Sequence, residues 1–219
     1  MIVTSHQPNI APGASVMTKI AASDMVIWSD EMQFSRGGYT NRNRLPDGTW
    51  FTVPVEKGAT GLPINRVKIV DLEGRGWRQD MCRRLRKAWP TETTEAVCAE
   101  IMRPYRLLVG LNVAILGIIC RALHIEAQWV FQSHLDGGHA PIMVSDDREE
   151  LKEASDRLAM MVHEVGGDVY LSGPSGRNYL DETPFHERGI AVEYWHHEGP
   201  NPCALELVKR PLEQLLAAA

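Results

Sequence analysis

Residues 148–171 read REELKEASDRLAMMVHEV-GG-DVYL, and this stretch decides the fold class. Its first part carries apolar residues at the spacing of one helix face: Leu151, Ala154, Leu158, Met161 and Val165. This pattern predicts a helix over Arg148–Val165, which Gly166-Gly167 ends. The β-branched and aromatic residues of Asp168–Leu171 then predict a buried strand. The unit is therefore a helix followed directly by a strand.

The same alternation of strands and helices extends outward along the chain. Strands are predicted at Ile2–Ser5, Met25–Ser29, Trp50–Val55, Val67–Val70, Ala127–Gln132 and Ile190–Trp195. Helices are predicted at Ala14–Ala22, at Trp77–Trp89 and from Pro104 to about His124, and Ser35–Asp47 is predicted as a long loop. We therefore expect an α/β fold: a mostly parallel, Rossmann-like sheet flanked by helices. One domain should span residues 1–219, with a helical segment around residues 77–124 that could form a subdomain.

Composition excludes several classes of protein. The chain has 219 residues, of which 44% are hydrophobic and 23% charged, so it is neither a disordered nor a fibrous protein. The most apolar stretch, Leu107–Cys120, is too short to cross a bilayer, and the first residues lack the pattern of a secretion signal. The four cysteines form no CxxC pair. We therefore expect a cytoplasmic protein without a membrane partner.

Charge is distributed unevenly along the sequence. The net charge is −5, but residues 36–121 hold 15 Lys and Arg against 8 Asp and Glu, whereas the rest of the chain holds 8 against 20. This split predicts either a basic face on an acidic body or basic and acidic side chains that interleave after folding.

Polar clusters follow the predicted strands, where ligands of parallel α/β sheets bind. His6 follows the first strand and could act as a general base or bind an anion, although a lone histidine there is more often structural. Asp30 follows the second strand, next to Glu31, and a solvated turn is the alternative there. No group of His, Cys and carboxylates has metal-ligand spacing, so we predict no metal site.

Two further clusters have the composition of phosphate-binding loops. Asn41, Arg42, Asn43 and Arg44 alternate so that both arginines could grip one phosphate, and Lys57 could add a cation. The loop Ser172–Asn178 is rich in small residues, which let backbone N–H groups approach an anion. Solvated loops are the alternative for both. Asn112 lies in an otherwise apolar helix and should need a hydrogen-bond partner in the loop bearing His6 or Asp30.

The order of these clusters resembles the WbqC-like family over roughly residues 1–195. The resemblance is carried by His6-Gln7-Pro8, Lys19-Ile20, Ser23-Asp24, Asp30 with Gln33, Asn41–Arg44, Thr52–Val55, Lys57-Gly58, Leu111-Asn112, Tyr170–Gly173 and Tyr179–Asp181. The chain departs from the family pattern at Asn9–Gly13, Glu31 and His197–Pro200, which leaves the identity of the substrate more open than the fold.

The resemblance implies an amino-acid transferase, with glycine as the default donor. Family members are linked to thymidine hypermodification in phage DNA, where a free amino acid displaces pyrophosphate from activated 5-hydroxymethyluracil. It implies catalytic roles for His6, Asp30 and Gln33, with His6 or Asp30 as the proton acceptor. It implies substrate binding by Gln7, Asn41, Arg42, Asn43, Arg44, Lys57, Asn112, Ser172, Gly173, Ser175, Asn178 and Tyr179. No cofactor is expected, and a phage-encoded chain would work in the host cytoplasm.

Two other functions stay open at this point. Family members also occur in O-antigen gene clusters, which implies glycine transfer to a nucleotide-linked sugar, a reaction that needs an activated carboxyl group. A noncatalytic module that binds nucleic acid or a sugar nucleotide is the third possibility. The expected partners are therefore a free amino acid and a phosphate-bearing acceptor, with double-stranded DNA favoured by the basic middle region. The sequence leaves open whether the chain forms a homo-oligomer.

Overall fold

The computed structural model describes residues 1–70, 76–138 and 148–209. The strands in these ranges are β1 (Ile2–His6), β2 (Met25–Trp28), β3 (Arg42–Arg44), β4 (Trp50–Thr52), β5 (Gln128–Phe131), β6 (Val169–Ser172) and β7 (Ala191–Tyr194). The helices are α1 (Ala14–Ala21), α2 (Trp77–Ala88), α3 (Glu92–Ile101), α4 (Leu108–Ala122), α5 (Arg148–Glu164), α6 (Thr183–His186) and α7 (Ala204–Leu207). None of the helices in the described ranges is long and apolar enough to span a bilayer.

Five strands form one parallel sheet in the order β5-β2-β1-β6-β7, which confirms the predicted α/β, Rossmann-like class. β1 pairs with β2 from Val3 opposite Met25 to His6 opposite Trp28, and its other edge pairs with β6. The antiparallel hairpin of β3 and β4 lies outside this sheet. The chain leaves β1 toward β2 and β5 on one side and returns to β6 and β7 on the other. The carboxyl ends of β1 and β6 therefore mark the topological switch point.

Alternating side chains of β2 divide the core into two layers. Val26 and Trp28 pack with α1, α2, α3 and α4, whereas Ile27 packs with α5 and α6 on the opposite face. Both faces of the strand are buried, which explains why Met25–Trp28 is apolar without interruption.

Two sequence predictions in the middle of the chain were wrong for one shared reason. Val67–Val70 is not a strand of the sheet, and the helix predicted from Pro104 begins only at Leu108. Arg106 accepts a hydrogen bond from the Ile69 amide at 2.9 Å, and the Leu108 amide donates to the Val67 carbonyl at 2.9 Å. The chain before α4 is therefore held extended against residues 67–69 and cannot join the helix.

Three smaller differences concern local signals. α3 was not predicted, although Thr91 caps it by accepting a hydrogen bond from the Thr94 amide at 3.1 Å. The predicted strand Trp50–Val55 ends at Thr52, where Pro54 has no N–H to continue the ladder. The long loop Ser35–Asp47 contains β3, which pairs with β4.

Candidate functional site

Two clefts meet at the carboxyl edge of β1, and His6 lines both of them. The first, which we call the switch-point cleft, has a volume of about 420 Å³ and lies between the ends of β1 and β6. The second, the hairpin cleft, has a volume of about 430 Å³ and lies between residues 9–16, the β3–β4 hairpin and the region of Trp89. His6 and Val16 are the lining residues that the two clefts share. The imidazole therefore stands between two separate spaces.

His6 is the last residue of β1 and is partly buried. The Asn9 amide donates a hydrogen bond to its Nε2 at 3.3 Å. Burial first, and the charge of Lys19 second, lower the pKa of His6 to about 3. The imidazole is therefore neutral at physiological pH, and the Nε2 that accepts from Asn9 is its unprotonated nitrogen, while the low pKa makes it a weak base.

Lys19 is a site residue that the sequence analysis did not select. It lies on α1, is 5% exposed and lines the switch-point cleft. Its Nζ donates to the Ser5 carbonyl at 3.0 Å, and no carboxylate among the described residues pairs with it. Burial lowers its pKa to about 8. The only sequence signal was its place in the family's motif order, because a lysine in a short helix normally points to solvent.

The loop after β6 forms the opposite wall of the switch-point cleft. Tyr170 shares a hydrogen bond with the Ser5 hydroxyl at 2.9 Å, and Ser172 is buried beside it. A Cβ on Gly176 would come within 2.1 Å of the Ser172 hydroxyl, so any side chain at residue 176 would force this hydroxyl to move. Other predicted residues that line this cleft are Gln7, Gly173, Ser175 and Tyr179. Asn178 does not line it and faces a separate surface depression.

Three asparagines hold the two loops around the hairpin cleft together. Asn112 is fully buried and donates to the carbonyls of Pro8 at 2.6 Å and Thr40 at 2.7 Å. Asn43 donates to the Ala11 carbonyl at 2.6 Å, and Asn41 donates to a carbonyl beside β4. The expected link between Asn112 and the loop bearing His6 is confirmed. Asn43 lines the hairpin cleft. Asn41 and Asn112 line neither cleft and instead donate hydrogen bonds to backbone carbonyls of the loops.

The two arginines of β3 share one aromatic support but differ in position. Arg42 lies 4.1 Å and Arg44 4.7 Å from the centre of the Trp50 ring. Arg42 donates to the carbonyls of Gly37 at 2.5 Å and Gly38 at 3.3 Å and lines neither cleft, whereas Arg44 is exposed and lines the hairpin cleft. Arg44 is therefore the better placed of the two to contact a ligand.

Three further predicted site residues line neither cleft. Asp30 is buried, and its carboxylate accepts hydrogen bonds from the Ser133 amide and hydroxyl at 3.0 and 2.7 Å and from Asn65 at 3.3 Å. This geometry ties the ends of β2 and β5 together. Gln33 and Lys57 are exposed and line neither cleft. Their roles, and the catalytic role of Asp30, stay predictions that this geometry does not support.

The hairpin cleft adjoins a surface that carries several cations. Leu45 and Pro46, which line it, also border a depression that is lined by Arg83, Arg84 and Lys87 and by one carboxylate, Asp47. Part of the basic surplus of residues 36–121 is neutralised, because Arg83 pairs with Asp80 and Arg86 with Glu95. Of the cations beside this cleft, Arg83 is thus paired, and Arg84 and Lys87 have Asp47 near them, so these contacts support the alternative in which basic and acidic side chains interleave.

Comparison with known proteins agrees with the motif order. The profile of the WbqC-like protein family matches residues 7–202, which include most of the residues that line the two clefts but not Ser5, His6, Cys203 or Glu206. The chain belongs to the WbqC-like family. This WbqC-like protein is also 28% identical over 202 residues to a Mycobacterium tuberculosis protein named Uncharacterized protein Rv1507c, covering 88% of this chain and 81% of that one. No solved structure matches the chain.

Proposed function

We propose that this WbqC-like protein is a transferase that joins the amine of a free amino acid to a phosphate-activated acceptor. The observation that carries the proposal is that His6 is shared by two clefts of similar volume. A two-substrate reaction needs one space for each substrate and a proton-transfer group where they meet. The neutral imidazole of His6, at the junction, is our candidate for that proton-transfer group.

The proposed reaction is a displacement at carbon. The neutral amine attacks the carbon that carries pyrophosphate, a C–N bond forms, and the C–O bond breaks. The electron pair leaves with pyrophosphate, and His6 accepts the proton that the nitrogen loses. Arg44, at the wall of the hairpin cleft, would stabilise the charge that grows on the departing oxygen.

The lining of the hairpin cleft supports a nucleobase as the acceptor. Tyr39 is 50% exposed, and Arg44 also lines this cleft. Exposed aromatic and guanidinium planes stack on bases, and the neighbouring cations of α2 suit a phosphate backbone. We therefore propose pyrophosphorylated 5-hydroxymethyluracil in DNA as the acceptor and glycine as the donor.

The direct test is incubation of the protein with labelled glycine and DNA that contains pyrophosphorylated 5-hydroxymethyluracil. The expected result is release of pyrophosphate in equal amount to the label retained on the DNA, with both rates lowered by about 10²–10⁴-fold in His6→Ala. DNA binding without release would indicate a binding module instead. Label transfer to a nucleotide sugar, dependent on ATP and absent with DNA, would replace the acceptor with a sugar.

A further inference from the structure

The switch-point cleft contains a buried cation whose charge is not balanced. Lys19 is 5% exposed, and its Nζ donates a hydrogen bond to the neutral Ser5 carbonyl at 3.0 Å. Of the described residues that line this cleft, none is an aspartate, a glutamate or an arginine. A buried charge without a counter-charge is costly, and such groups cluster at functional sites, where a bound ligand of opposite sign would supply the missing charge.

Hydroxyl groups complete the lining around this ammonium. The residues that line the cleft include the hydroxyl-bearing Ser5, Ser15, Ser29, Tyr170, Ser172, Ser175 and Tyr179, of which Ser5 and Tyr170 share a hydrogen bond and Ser172 donates to the Gly173 carbonyl. Hydroxyls donate to oxyanions without adding charge. The described lining therefore offers one positive charge and several neutral donors.

That charge count fits a monoanion better than a phosphate. A carboxylate carries one negative charge, whereas a phosphate monoester carries about −1.5 to −2 at pH 7 and is usually bound by arginine forks. We propose that the switch-point cleft binds the carboxylate of the donor amino acid through Lys19. This inference rests on the proposed transferase function and assigns the donor to one of the two clefts.

The position of His6 gives this assignment a chemical consequence. A free amino acid whose carboxylate contacts Lys19 carries its amine only two bonds farther on, and His6 lines the same cleft. The Lys19 charge disfavours a second positive charge nearby, so it promotes the neutral, nucleophilic form of the amine. Lys19 would thus bind one end of the donor and activate the other.

The test is equilibrium binding by calorimetry with the full chain, using glycine and inorganic phosphate as separate probes. Lys19→Met removes the charge and keeps the length of the side chain, whereas Lys68→Met is the matched control, since Lys68 is an exposed lysine that pairs with Glu56. We expect Lys19→Met to weaken glycine binding at least tenfold and to leave phosphate binding unchanged, and Lys68→Met to change neither. Thermal unfolding of each variant checks that it is folded.

The possible results separate the inference from the function on which it rests. Loss of phosphate binding instead of glycine binding would overturn the donor assignment, and unchanged binding of both would overturn the anion site itself. If Lys19→Met raises the KM for glycine at least tenfold in the pyrophosphate-release assay, both proposals stand. If the protein binds glycine through Lys19 but never releases pyrophosphate, the carboxylate site stands and the transferase function fails.

Discussion

The two clefts share a wall but differ in how they are built. The switch-point cleft lies between strand ends of the main sheet, and its described lining has one buried cation and no carboxylate. The hairpin cleft lies against a hairpin outside that sheet and is lined by an exposed arginine, Arg44, by Glu206 and by the aromatic residues Tyr39 and Trp89. The first suits a ligand with one charge, whereas the second suits a ligand with rings and both polar and charged groups. We infer from this difference that the two clefts beside His6 bind chemically unlike substrates.

His6 is the residue on which this comparison depends most. His6→Ala should lower kcat by about 10²–10⁴-fold, the usual contribution of a positioned proton acceptor. The loss should be partly offset at higher pH, where more of the amine is already neutral. Steady-state kinetics from pH 6 to about 10 would measure this, with His163→Ala, an exposed histidine of α5, as the matched control. An unchanged kcat would remove His6 from the mechanism.

The next largest effect should distinguish the two arginines of β3. Arg44→Ala should lower kcat by about 10²–10³-fold with little change in KM, because Arg44 would stabilise charge that develops only in the transition state. Arg42→Ala should cost less activity, since Arg42 donates to the carbonyls of Gly37 and Gly38. Equal losses in both variants would mean that the arginines act together as a docking surface, which a raised KM and a weaker salt dependence would confirm.

A substitution of Asn112 tests whether the hairpin cleft depends on the hydrogen bonds that this buried residue donates to the surrounding loops. Asn112→Leu removes both donors to Pro8 and Thr40 and should lower stability by about 1–3 kcal/mol. It should also lower turnover by roughly tenfold, because the loop after His6 loses its anchor. Chemical denaturation and kinetics measure the two effects, and full activity in a folded variant would reduce Asn112 to a packing residue.

The smallest effect is on the free energy of unfolding, which Lys19→Met should raise, whereas the variants above should lower activity or stability. The pKa of Lys19 is lowered from 10.5 to about 8, so the folded state binds this proton more weakly than the unfolded state. The free energy of unfolding of the wild type should therefore rise as the pH increases from about 8 to 10.5. Below pH 8, the contribution of Lys19 should stay constant at its lower value. Lys19→Met should be more stable than wild type at pH 7 by on the order of 1–3 kcal/mol, after allowance for the lost Ser5 bond. A destabilised variant, measured by thermal unfolding, would show that Lys19 is structural.

Much of the fold was predictable because its signals are local. The apolar face of α5 and the glycines after it predicted the α5–β6 unit from residues within one stretch. The start of α4 was not predictable in this way. It depends on hydrogen bonds from residues 106–108 to residues 67–69, which no local pattern reveals.

The candidate site was predictable only in part for a related reason. His6, Ser172 and Arg44 follow or lie on strands, so their positions follow from the rule that ligands bind at strand ends. Asp30 also follows a strand, but its carboxylate already accepts hydrogen bonds from Ser133 and Asn65. Lys19 lies on a helix that the rule does not cover, and its role follows only from its burial without a counter-charge.

The central claim is that two ligands approach His6 from separate clefts, and the NMR signals of its imidazole test this most directly. Glycine and inorganic pyrophosphate would each be titrated into the protein alone and then in the presence of the other at saturation. The account predicts that each ligand shifts the His6 signals, that the two shifts add, and that Lys19→Met abolishes only the glycine response while Arg44→Ala abolishes only the pyrophosphate response. Competition between the two ligands for one set of shifts, or no shift with either, would contradict it.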